Sequence, residues 1–136
     1  MAAQPATLLP MTQPLRHIVE PDPAWDWTEE VDDVLVVELS WPPDALAGRL
    51  DELVASPALV AALTSGGITG FRTAGARGVY REDSFDVDPD TPPPPLTRLL
   101  VGDDPAADMS YAAHTGLSVS QRTLEILRTH CERLGS

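Results

Sequence analysis

The last twenty-nine residues, Asp108 to Ser136, constrain the fold more than any other stretch of the chain. They read DMSYAAHTGLSVSQRTLEILRTHCERLGS. A strand pattern runs to Thr115-Gly116, where a turn is expected, and a short second strand follows. Ser118 with Gln121 fits a capping box, or Ser120 caps alone, and a helix opens there. Leu124, Leu127, Cys131 and Leu134 recur at steps of 3, 4 and 3, so one face of that helix is apolar. Arg128 and Arg133 suit the negative end of the helix, and Gly135 is its expected stop. Such a unit has to bury its helix face against a sheet, and it contains no catalytic pattern.

The remaining elements follow from the same kind of reading. Val34-Leu-Val-Val-Glu-Leu39 is apolar on both alternating faces, which predicts a strand covered on both sides. Pro42-Pro43-Asp44 reads as a helix opening, because proline is tolerated in a first turn and Asp suits the positive helix end. Leu46, Leu50, Leu53 and Val54 then fall at i, i+4, i+7 and i+8, one stripe of a helix over residues 46–54. Ser56-Pro57 starts a further short helix through Leu63, closed by Ser65-Gly66-Gly67. Residues 68–74 read as a strand, Gly75-Ala76 as a turn and residues 78–82 as the returning strand of a hairpin. DVDPDTPPPP, residues 86–95, is a loop stiffened toward polyproline II geometry. Residues 96–101 alternate as a strand, and Asp103-Asp104-Pro105 turns it.

The expected fold is α+β. A mostly antiparallel sheet of about four to six strands is covered by two main helices, the one over residues 46–54 and the C-terminal one. A length of 136 residues fits a single compact domain with Pro-rich loops. Pro5, Pro10 and Pro14 mark residues 1–16 as a flexible N-terminal arm, which leaves residues 17–136 as the domain.

Charge bears on partners. The chain has 21 acidic residues against 9 basic ones, and every base is an arginine. The lack of lysine beside abundant Ala, Pro and Asp fits a GC-rich bacterial coding sequence. Residues 20–38 hold Glu20, Asp22, Asp26, Glu29, Glu30, Asp32, Asp33 and Glu38 and no base. A field of this sign repels phosphate backbones and anionic lipid, so nucleic acid and membrane are not expected partners; a protein with a basic surface is. Trp25 and Trp27 lie within the run, and tryptophan is favoured at interface hot spots. Trp25, Trp27, Glu29, Glu30, Asp32 and Asp33 are therefore the candidate partner-binding residues. The bland alternatives are that the two rings tuck onto the core as the chain enters its first strand, and that the acids serve solubility alone.

Catalytic and metal chemistry finds little to work with. Cys131 is the single cysteine, so no internal disulfide forms and no oxidising compartment is needed. The N-terminal segment lacks the basic region and apolar core of a secretory signal, and no run reaches the apolar length of a membrane span. The expected location is the cytoplasm. His130 adjoins Cys131, but helical neighbours point about 100° apart and make no thiolate pair. Cys131 instead belongs to the apolar stripe. His17 and His114 complete the histidines, and no Cys/His pairs stand at zinc spacing. Asp86-Val-Asp88-Pro-Asp90 lacks the central Gly and terminal Glu of a calcium loop. Thr64-Ser-Gly-Gly-Ile-Thr-Gly70 follows a helix rather than a strand and has no Lys, so it is a helix stop and not a phosphate loop. No catalytic residue, metal or cofactor is expected.

Gly67-Ile-Thr-Gly-Phe71, the acidic Pro-rich loop, and Asp108-Met-Ser-Tyr111 leading to Leu117-Ser-Val-Ser-Gln-Arg-Thr-Leu-Glu-Ile-Leu127 carry a resemblance. From Gly66 onward the chain resembles small bacterial immunity proteins of polymorphic toxins. The resemblance covers about half the chain and rests on structural motifs. It implies a non-catalytic partner protein, either an immunity protein or an accessory subunit of a biosynthetic pathway. The residues alone leave a small enzyme or binder of a peptide or small molecule, with a pocket under the Pro-rich loop, as the alternative. Some members of that class carry paired CxxCG motifs; the single Cys131 departs from this, and no metal binding carries over.

Overall fold

The computed structural model describes residues 16–23, 25–49, 51–80 and 92–135, with only the backbone of residues 25 and 26. The elements are β1 (Arg16–Val19), β2 (Trp25–Val31), β3 (Val34–Leu39), β4 (Leu46–Arg49), β5 (Glu52–Ala55), α1 (Pro57–Ser65), β6 (Phe71–Tyr80), β7 (Leu96–Val101), β8 (Met109–Ala112), β9 (Gly116–Ser120) and α2 (Gln121–His130). Six strands form one sheet in the order β2-β3-β6-β7-β5-β4, and three form a second in the order β1-β9-β8. Among the strand pairs of the described residues only β3–β6 is parallel; an isolated parallel bridge also joins Asp22 to Ala47. The α+β class and the mostly antiparallel sheet are as expected from the sequence. The two helices among the described residues are α1 and α2, of which only α2 is one of the two main helices expected.

The large sheet curls. Gly48 N–H donates to the Asp22 carbonyl at 2.9 Å, which brings the chain just before β2 beside β4, the strand at the far edge. Inside the curl Leu35, Val37, Leu39, Ala47 and Val54 form a small apolar cluster, with Trp41, Tyr80 and Leu96 packed against it. The other face presents Leu46, Leu53, Ala55 and Leu99 to the main core, which the second sheet and both helices complete with Val19, Met109, Val119, Leu59, Leu124 and Leu127. Burial of each such leucine contributes roughly 1.5–3 kcal/mol.

Two readings of the sequence are overturned. Residues 46–54 are not a helix; they are the β4–β5 hairpin, with Leu46 opposite Ala55 and Gly48 opposite Leu53. The leucine stripe fits either period. What decides is pairing: Leu53 lies opposite Leu99 in β7, and a Cβ at Gly48 would collide with the Glu52 carbonyl oxygen. Tertiary context overrides helical spacing here. Likewise Gly75-Ala76 is no turn. β6 runs unbroken from Phe71 to Tyr80 between β3 and β7. Its Gly78 marks a close approach instead, since a Cβ there would lie 2.8 Å from Leu39 Cδ1.

Other expectations hold. Ser56 caps α1 through Leu59 N–H, with Pro57 in its first turn. Ser120, rather than the Ser118/Gln121 box, caps α2. That helix ends at His130, short of Gly135, because the Asp44 carboxylate takes the N–H groups of Glu132 and Arg133 and draws the chain into an extended course. Cys131 and Leu134 still pack against the core from there. The arm expected over residues 1–16 lies outside the described residues except for Arg16, which begins β1 and bonds to Ser118 across the small sheet. Residues 86–91 of the Pro-rich loop also lie outside them.

Candidate functional site

β2 and β3 form a hairpin whose two turn residues, Asp32 and Asp33, both have left-handed backbones, at φ 52° and 66°. That is the twist a two-residue hairpin turn requires, and Asp is among the residues that tolerate it. The turn fixes the register. Val31 lies opposite Val34, Glu29 opposite Val36 and Trp27 opposite Glu38, while Glu30 and Thr28 lie opposite the inner residues Leu35 and Val37. Directly paired residues share a face, and so do residues two apart. Trp27, Glu29 and Val31 therefore stand on the outer face, and Thr28 and Glu30 face the inside of the curl.

The outer face is open. Trp27 is 46% exposed and Val31 41% exposed, and Glu29, Asp32 and Asp33 are exposed beside them. For Trp27 this corrects the reading in which the ring tucks onto the core. The side chain of Trp25 lies outside the described residues. Trp27, Glu29, Glu30, Asp32 and Asp33 all fall within one hairpin, so the structure brings these five sequence candidates together.

The inner face is tied down by residues that sequence reasoning missed. Thr28 Oγ1 donates to the Glu52 carboxylate of β5 at 2.9 Å. Arg98 of β7 pairs with Glu30 at 2.8 Å. At the base, Trp41 Nε1 donates to the buried Asp22 carboxylate at 3.0 Å, and Arg133 pairs with the same group at 3.2 Å. Only long-range pairing places these groups, so no local pattern announces them. Asp22 and Asp44 belong to the acid-rich N-terminal third, yet they are structural: both are buried and accept N–H groups from the main chain.

Among the described residues no comparable cluster elsewhere presents reactive chemistry. Asp108 is held by Arg122, Thr69 and Ser120, and the Arg122 hydrogen bond keeps its carboxyl well below the usual carboxylate range. Burial, with Asp44 nearby, pushes the Cys131 thiol up to about 11, so the thiolate needed for nucleophilic attack is scarce at neutral pH. Among the described residues no three His, Cys, Asp or Glu side chains gather as metal ligands, and no helix is long and apolar enough to cross a membrane. Open cavities are present among the described residues. One, of about 650 Å³, lies between residues 76–80 and 92–96, under the proline run. Another, of about 670 Å³, lies between the β8–β9 turn and β4 and is edged by Glu20, Arg49, Tyr111 and His114. No family model, no curated protein and no solved structure matches the chain.

Proposed function

We propose that the protein is a non-catalytic protein-binding module that docks a basic surface of another bacterial protein through the β2–β3 hairpin. The observation that carries this is the outer hairpin face, where exposed Trp27 and Val31 flank Glu29 on a strand whose inner face is braced to β5 and β7. An aromatic anchor on a rigid support loses little conformational freedom on binding. The acids around it steer a basic partner and disfavour an acidic one. An immunity-type inhibitor of a basic toxin and an accessory partner of another enzyme both work this way, in the cytoplasm.

One observation favours a second reading, a small-molecule binder. The cavity under the proline run has a volume within the range of ligand sites, and Tyr80 and Arg77 stand at its wall.

The test is site-specific photo-cross-linking in cells. Benzophenone placed at Trp27 should yield one dominant adduct with a basic protein, and benzophenone at the exposed Thr129 of α2 should not. Equal adducts from both positions, or none from Trp27, would defeat the reading.

A further inference from the structure

The edge that β2 presents among the described residues suits one way of holding such a partner. We propose that the partner contributes an extended basic segment that adds to β2 as a further strand of the large sheet. This rests on the hairpin being the docking surface.

Among the described residues β2 pairs only with β3 and ends the sheet. Val31 and Val34 flank a two-residue turn and so exchange both backbone hydrogen bonds. Antiparallel pairs alternate, so the N–H and C=O groups of Thr28 and Glu30 point away from β3, toward the open side. These are the donors and acceptors an added strand uses. Edges are ordinarily protected by proline, charged side chains (lysine above all) or bulges. The charges on β2 are all acidic, which bars another copy of the chain and admits a basic strand. The β2 sequence WDWTEEV has neither proline nor lysine, and its one register shift lies between Trp25 and Trp27, outside the stretch from Trp27 to Val31. Charge selects the occupant. A second copy pairing edge to edge would set Glu29 and Glu30 against the same acids, whereas a strand with a basic residue opposite Glu29 and basic residues at its ends meets Glu29, Asp32 and Asp33 with opposite charge. Its residues two before and two after the one opposite Glu29 share that face and meet Trp27 and Val31, and so should be apolar.

The test uses the full chain, labelled with ¹⁵N, and a short synthetic peptide with two valines flanking an arginine on one face and lysine at both ends, acetyl-KVTRTVK-amide. Two controls accompany it: the same peptide N-methylated at alternate backbone nitrogens, and an acidic counterpart, acetyl-EVTETVE-amide. Binding of the basic peptide should slow amide exchange at Thr28 and Glu30. N-methylation should weaken it by about tenfold or more, and the acidic peptide should not bind. Equal binding of the N-methylated peptide, with shifts confined to the Trp27 indole, would overturn strand addition and leave the hairpin face as the docking surface. Three further results would also overturn it: no binding of the basic peptide, slow exchange at Thr28 and Glu30 in the free protein, or pairing of the chain with itself through β2. A cross-link from Trp27 to a partner that none of these peptides displaces separates this failure from failure of the hairpin reading.

Discussion

Arg122 holds Asp108 through two nitrogens, Nε at 2.9 Å and Nη2 at 2.6 Å. The same carboxylate accepts Thr69 N–H, Thr69 Oγ1 and Ser120 Oγ, so one side chain joins the segment before β6, the entry to β8 and the first turn of α2. Its acidity in the folded state is raised chiefly by the Arg122 hydrogen bond, which outweighs burial. A carboxyl with a lowered folded-state pKa contributes stability above its unfolded value, near 3.9, and loses that contribution as pH falls through the folded value. Urea midpoints measured from pH 7 to about pH 2 should fall steeply for the wild type and less steeply for Asp108→Asn. At pH 7 that variant should be less stable by about 2 kcal/mol. Parallel curves for the two proteins would remove Asp108 from the account of acid sensitivity.

Asp44 should matter as much for a different reason. Its carboxylate accepts Glu132 N–H at 2.9 Å and Arg133 N–H at 2.7 Å, and it is buried. Asp44→Ala leaves both donors without that partner, at a cost of about 1–3 kcal/mol each. The melting temperature should drop, and amide exchange at Glu132 and Arg133 should quicken well ahead of that at Leu127. Uniform quickening would mean that the clasp is not local.

Cys131 should be a slow thiol. Burial first, and the Asp44 charge second, push it up to about 11. Iodoacetamide labelling at pH 8 should run far below the rate of a free cysteine with a pKa near 8.5. Asp44→Ala should speed it. A rate equal to free cysteine would contradict the packing assigned to this side chain.

The hairpin turn offers a stabilising change. Asp33, at φ 66°, adopts a conformation that costs an L-residue more than glycine. Asp33→Gly should raise stability by up to about 1 kcal/mol, partly offset by glycine's greater freedom when unfolded. A lower melting temperature would show that the Asp33 side chain supplies more than its backbone strain removes.

How legible these features were depends on distance along the chain. Ser56-Pro57 announced α1, and Leu124 with Leu127 announced the buried face of α2, because caps and helical spacing are local. The stripe over residues 46–54 misled, since a strand pair buries the same leucines and only the distant Leu99 settles the choice. β1 was unreadable for the same reason: its register is set by β9, with Arg16 opposite Ser120. At the site, the exposure of Glu29, Asp32 and Asp33 was legible from charge density. The burial of Asp22 was not, because its partners Trp41 and Arg133 lie far along the sequence. Nor did Asp32-Asp33 look like a hairpin turn, which favours Asn-Gly.

The central claim is that the acids of the β2–β3 hairpin guide a partner onto Trp27. Its most direct test is the association rate of the protein cross-linked at Trp27, measured by surface plasmon resonance at low and high salt. The wild type should be compared with a variant carrying Glu29→Gln, Asp32→Asn and Asp33→Asn, which spares the Glu30–Arg98 pair. Screening shortens from about 10 Å at 0.1 M salt to about 3 Å at 1 M, so the wild-type rate should fall with salt toward the low, salt-insensitive rate of the variant. Equal rates for the two proteins at low salt, with both variant and wild type folded, would contradict the account.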